Sequence, residues 1–159
     1  MTSTITPATL TVTVQEKVSL NGYDQGSKNV QTIASIAEVY KRILTITTNE
    51  SVIATMSGAV ASAGHFNDSA VKYMRFTNLD DTNHVTITFR NQDNDEVAIK
   101  VDHGNSLMVF ADNSAGMVGM FNATQDADAA SDTALGSITN IQADAGASTV
   151  DIEVFIAST

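Results

Sequence analysis

The side chains of this sequence that could do chemistry are three histidines and a handful of acidic clusters. His65, His84 and His103 each lack a second histidine two or four residues away, the spacing that brings two imidazoles to one metal from a single element. His84 follows a turn and His103 sits in Asp102-His-Gly-Asn105, so both read as turn residues. The clusters Asp80-Asp81, Asp93-x-Asp95-Glu96 and Asp126-x-Asp128-x-x-x-Asp132 invite a calcium reading, because a hard cation collects several oxygens from one loop. Asp93 and Asp95, however, are followed by Val97 where a further oxygen should stand, with no glycine at the sharp turn, and the clusters read instead as solvated turns. No Gly-x-Ser-x-Gly elbow, phosphate-binding glycine loop or dinucleotide fingerprint is present. With 0 cysteines there is no thiol nucleophile, thiolate metal site or disulfide. The expectation is a protein that is not an enzyme and that uses no cofactor and no metal.

The stretch from Val71 to Phe110 organises the chain. Val85, Ile87 and Phe89 share one parity against Thr86, Thr88 and Arg90, and Val97, Ile99 and Val101 repeat the pattern against Ala98, Lys100 and Asp102. In pleated strands each set lies on one face. The intervening runs 78–83, 91–95 and 102–105 are rich in Asn, Asp and Gly, which tolerate left-handed backbone or bond their own main chain, as hairpin connections require. The runs 71–77 and 106–110 differ: their apolar residues fall on both parities, as in strands covered on both sides or lying at a subunit contact.

Elsewhere, Leu10, Val12, Val14, Val18 and Leu20 predict one long strand or two joined at a bulge over residues 8–20, followed by a turn at Asn21-Gly22. Residues 32–44 are ambiguous. Ile33, Ile36, Ala37, Tyr40, Ile43 and Leu44 fall at helical spacing, yet the segment lacks a clear cap and runs into the alternating ILTITT, which favours strand over helix. Two strands follow around the turn 48–50, then a Gly/Ala/Ser loop over 57–64. Residues 136–142 and the alternating Val150, Ile152, Val154 and Ile156 close the chain. The whole predicts an all-β, antiparallel two-sheet β-sandwich of jelly-roll type with about eight to ten strands, in a single domain spanning residues 1–159. The long connection 111–135 holds an apolar island of Met117, Val118, Met120 and Phe121, either a plug under a loop or an exposed patch for oligomer or capsid contacts.

Composition narrows the function classes. Eighteen acids against 8 bases give a net charge of −10, a field that repels nucleic acid. No run approaches the roughly 20 apolar residues of a spanning helix, and the N-terminal residues lack the basic and apolar regions of a secretory leader, so folding in a cytoplasm without a membrane is expected. Tryptophan is absent and Tyr numbers 3, which weakens a carbohydrate-stacking role, although a glycan groove at Tyr23, Tyr40 or Tyr73 remains the alternative.

The run YMRFTNLDDTNHVTITF, with DEVAIKVDHGNSLMVF and the closing STVDIEVFIAST, resembles the small β-sandwich structural proteins of tailed-phage virions. In that group a strand ending in Asn leads through an Asp-Thr-Asn turn into the next, here Asn78 and Asp81-Thr82-Asn83. A Gly-containing turn, here His103-Gly104 where the group more often has Pro-Gly, precedes a fourth strand. The resemblance covers about residues 40–157. It implies a non-enzymatic virion component, a capsid decoration or cement protein on the capsid exterior, often a homotrimer, partnered by itself and by the major capsid protein and assembled in a host bacterial cytoplasm. The alternative it leaves open is a glycan-binding or adhesin module of a head fibre, neck or tail.

Overall fold

The computed structural model describes residues 5–58, 64–111, 116–117 and 138–159. Among them every regular element is a strand, thirteen in all: β1 Ala8–Gln15, β2 Ser19–Leu20, β3 Tyr23–Asp24, β4 Lys28–Ile36, β5 Glu38–Ile46, β6 Ser51–Ser57, β7 His65–Asn67, β8 Val71–Asn78, β9 Val85–Asn91, β10 Glu96–Val101, β11 Ser106–Phe110, β12 Ile138–Ala145 and β13 Val150–Ser158. The count exceeds the expected eight to ten because β2, β3 and β7 are only two or three residues long, too short to leave an alternation in the sequence. By contacts the chain divides into two compact units, Met1–Glu38 with Thr159, and Val39–Ser158.

The first unit is a ribbon in which β1 pairs antiparallel with β4 from Leu10↔Ile33 to Gln15↔Lys28, with β2 pairing β3 beyond it. The tip turn has positive φ at both Asn21 (52°) and Gly22 (83°), as a type I′ hairpin requires and as Asn-Gly supplies at low cost. Ser35 also has a positive φ, 63°, where the register slips: three steps from Ile33 to Ile36 oppose two from Leu10 to Ala8. That extra residue switches the parity of the apolar side chains. It is why Ile33 and Ile36 stand three apart and imitate a helix, while residues 32–44 are strand throughout apart from the break at Ala37.

The second unit has two sheets, of strand order β10-β9-β12-β6-β7 and β11-β8-β13-β5. Pairing is antiparallel along β10-β9-β12-β6 and β11-β8-β13, and β7 adds to β6 in parallel. One buried cluster draws on both sheets, with Met74, Phe76, Ile152, Val154 and Ile156 from the smaller and Ile87, Phe89, Val101, Ile141 and Ala143 from the larger. Phe76 meets Phe89 edge to face at 6.2 Å between ring centres, so the arrangement is sandwich-like. The anticipated alternation holds: Val85, Ile87 and Phe89 point inward. On β8 a register shift opposite Ala157 and Ser158 skips Lys72 and returns Val71 to the core side.

Two buried asparagines end consecutive strands and build the turns that follow. Asn78 donates through Nδ2 to the carbonyls of Asn83 (2.9 Å) and Val101 (3.2 Å) and accepts from the Asp80 N–H (3.0 Å). Asn91 accepts at Oδ1 from the N–H groups of Asp93 (2.9 Å) and Asp95 (2.8 Å) and donates to the Asp95 carboxylate (3.1 Å). Each replaces backbone bonds that the turning chain cannot make for itself.

Candidate interaction surface

The acidic clusters singled out by type are turn-formers where they are described. The Asp80 carboxylate accepts from the N–H groups of Thr82 (2.8 Å) and Asn83 (2.5 Å), and these bonds, Asn83 first, hold it below the usual carboxylate range. Asp126, Asp128 and Asp132 lie outside the described residues. Among the described residues no three His, Asp or Glu side chains gather to hold a metal. Met117 is fully buried within the core cluster, its N–H donating to the Asp68 carbonyl (2.7 Å). It therefore acts in this chain as a plug, while Val118, Met120 and Phe121 lie outside the described residues. Gly116 beside it has φ +62°, and a Cβ there would collide with the backbone of Asp68 and Ser69.

The two sheets differ on their outward sides. On the larger sheet, Thr86, Thr88 and Arg90 of β9, Glu96, Ala98 and Lys100 of β10, and Asn140, Gln142 and Asp144 of β12 face away from the core, a polar set in which Thr88 and Gln142 are nonetheless buried. Arg90 pairs with Glu96 at 3.3 Å and donates to Asn94 at 2.7 Å.

The smaller sheet is different. Its outward positions are Met108 and Phe110 of β11, Tyr73, Arg75 and Thr77 of β8, Glu153 and Phe155 of β13, and Val39, Lys41 and Ile43 of β5. The Tyr73 ring is covered, only 4% exposed, with Phe110 at 5.1 Å and Phe155 at 6.0 Å between centres. Burial raises its hydroxyl pKa above the ordinary value, opposed by the nearby Arg75 charge. Phe110 itself is 37% exposed and Ile43 59%, with Val39 and Met108 also open. Through this apolar surface runs a line of charge: Glu153 bonds both Lys41 (3.1 Å) and Arg75, and Arg75 donates on to Thr77 (2.6 Å), which lies 2.8 Å from Ser106. Aromatic side chains, methionine and arginine are the residue types enriched at protein interfaces.

Lys41, and then Arg75, hold the Glu153 carboxyl below its ordinary value of 4.5, against the opposing effect of burial. A carboxyl whose pKa is lowered by folding contributes stability that is complete above the unfolded value and lost as pH falls toward the folded one. Thermal stability is therefore expected to fall below about pH 4.5, and Glu153→Gln is expected to flatten that acid limb. An unchanged limb in Glu153→Gln would mean that the three-way pair contributes nothing.

Of the tyrosines on the second unit, Tyr40 and Tyr73 do not share a face. Tyr40 turns toward the core, its ring edge-on to Phe66 at 5.3 Å, beside a hollow lined by Arg42, Thr55 and His65, whereas Tyr73 lies on the opposite side of the same sheet. The sequence signal that did mark the surface was the presence of apolar residues on both parities of 71–77 and 106–110, which proved to be neighbouring strands of the smaller sheet.

No family model, no curated protein and no solved structure matches this chain.

Proposed function

We propose that the chain is a non-enzymatic structural protein of a virion, a capsid decoration or cement protein that binds the outer surface of a tailed-phage head, and that it works by holding neighbours rather than by transforming a substrate. The observation that carries the reading is the outward face of the β11-β8-β13-β5 sheet, apolar and aromatic where the other sheet is polar. An open apolar face of this kind is costly in water unless a partner covers it. The virion setting rests on the residue-pattern resemblance over about residues 40–157.

Strand order favours a jelly roll within residues 39–158. Leaving aside the short β7, β5 neighbours β13, β6 pairs with β12, β8 with β11 and β9 with β10. That is first with eighth, second with seventh, third with sixth and fourth with fifth: one long hairpin rolled so that its pairs alternate between two sheets. Among the described residues of this unit, Asp80, Asp81, Asp93, Asp95 and Asp102 sit in turns rather than on the sheet faces. A surface that docks through a sheet face would then keep its repulsive charge at the rim.

Co-sedimentation with tailed-phage capsids stripped of decoration is the test. Saturable binding with a fixed number of copies per capsid is expected, and a chain that stays in the supernatant at every concentration would overturn the reading.

A further inference from the structure

We propose that Asn21 is a site of spontaneous modification: in the folded chain its side-chain amide cyclises onto the Gly22 nitrogen and opens to aspartate and isoaspartate, and the conversion undoes the tip of the N-terminal ribbon. The chemistry calls for no enzyme and no partner, and it stands apart from the virion reading.

Asn21 is the one asparagine of the sequence that glycine follows. Cyclisation requires the next backbone nitrogen to reach the asparagine Cγ, an approach that a side chain on the next residue crowds. Gly22 has no side chain, and the space where one would stand is open. Both residues are exposed at the tip, and among the described residues nothing hydrogen-bonds the Asn21 side-chain amide. Asn94, the other described asparagine at positive φ, differs on both counts: Arg90 donates to its Oδ1 at 2.7 Å, and Asp95 follows it. Bringing Cγ onto the Gly22 nitrogen needs the turn to relax. The strands that hold it, β2 and β3, are two residues each and pair only as Ser19↔Asp24 and Leu20↔Tyr23, and a hairpin that short opens at little cost. Below it, Gln25 N–H donates to the Val18 carbonyl and Glu16 N–H to the Ser27 carbonyl, both at 2.9 Å, which confines the opening to the tip.

Water is the only co-reactant the step needs. The Gly22 nitrogen gives up its proton and bonds Cγ, the Cγ–Nδ2 bond breaks, and Nδ2 leaves with that proton as ammonia. The resulting five-membered imide holds the Gly22 nitrogen between Cγ and the Asn21 backbone carbonyl carbon. Water adding at Cγ releases aspartate; water adding at the backbone carbonyl carbon releases isoaspartate, in which the chain runs on through Cβ and Cγ. Either product puts a new negative charge on a tip that already carries Asp24. Isoaspartate also lengthens the backbone of a two-residue turn whose fit depends on positive φ at both positions, 52° at Asn21 and 83° at Gly22. The pairing of Leu20 with Tyr23 is then lost.

The test incubates the full folded chain in neutral buffer, as wild type, Asn21→Gln and Asn105→Gln, and follows anion-exchange elution, released ammonia and peptide maps. Asn105 supplies the comparison, exposed like Asn21 but followed by Ser106. Circular dichroism checks that each chain stays folded, and a urea-unfolded wild-type sample sets the pace of the chemistry without the turn. Wild type and Asn105→Gln are expected to release ammonia and pass into a more acidic form with isoaspartate at Asn21, and Asn21→Gln is expected to lose both signals. As the acidic form accumulates, the Hα resonances of Leu20 and Tyr23 are expected to leave their strand positions. A folded wild-type chain that keeps Asn21 intact after the unfolded sample has converted would overturn the proposal, as would isoaspartate arising at Asn105 in its place. Converted chains whose Leu20 and Tyr23 resonances do not move would overturn the effect on the tip.

Discussion

Phe89→Ala is expected to destabilise the protein by about 3–5 kcal/mol, the usual cost of emptying an aromatic site in a packed core. Phe89 is fully buried on β9 of the larger sheet, and its ring meets the edge of Phe76 on β8 of the smaller one. Removing it deletes the transfer energy of the ring, leaves a cavity between the sheets, and forfeits an aromatic pair worth about 0.5–1.5 kcal/mol beyond its area. Thr86, three residues away on the outward side of the same strand, supplies the control, since Thr86→Ala is expected to stay within about 0.5 kcal/mol. Urea unfolding monitored by circular dichroism reads both. Equal effects at the two positions would mean that the sheets do not share the core described here.

Asn78→Ala is expected to cost about 3 kcal/mol, since a buried hydrogen-bonding group left without its partner costs about 1–3 kcal/mol. Its side chain makes three bonds, to Asn83, Val101 and Asp80, and 1% of its surface is exposed. Truncation strands the Val101 carbonyl in the interior and releases the turn that aims β9 away from β8. Asn78→Asp is expected to be at least as damaging, because a carboxylate repels the two carbonyls that the amide now serves. Amide exchange should quicken across residues 79–84 in the alanine variant more than at Asn91 and its turn. Uniform loss of protection instead would assign Asn78 to the global core rather than to its turn.

Much of the second unit was legible in the sequence because period-two alternation is a direct image of a pleated strand with one side buried. The β8 to β11 meander, its asparagine-rich turns and the final strand β13 are where the residue pattern puts them. The segment 32–44 was obscured for a local reason: the extra residue at Ser35 switches the inward parity within β4, and the break at Ala37 precedes β5 with Tyr40 and Leu44 against the core, so the apolar spacing drifts to three and four. The apolar outward face of the smaller sheet was half legible. Apolar residues on both parities of β8 and β11 signalled strands covered on two sides, but sequence alone does not say that Tyr73, Phe110 and Phe155 would come together from three strands. The island at Met117 drew notice by its isolation in a polar connection. Its one described side chain lies in the core, which the periodicity of a single short run has no means to reveal.

Because the central claim is that this chain holds neighbours through the open face of its smaller sheet, the solution mass of the wild-type chain beside Phe110→Asp tests it most directly. Sedimentation equilibrium at neutral pH is expected to give a multiple of 16.8 kDa for the wild type, three copies on the proposed reading, and the single-chain mass for the folded variant. A wild-type chain that sediments as one copy at every concentration, or a variant that assembles as the wild type does, would contradict it.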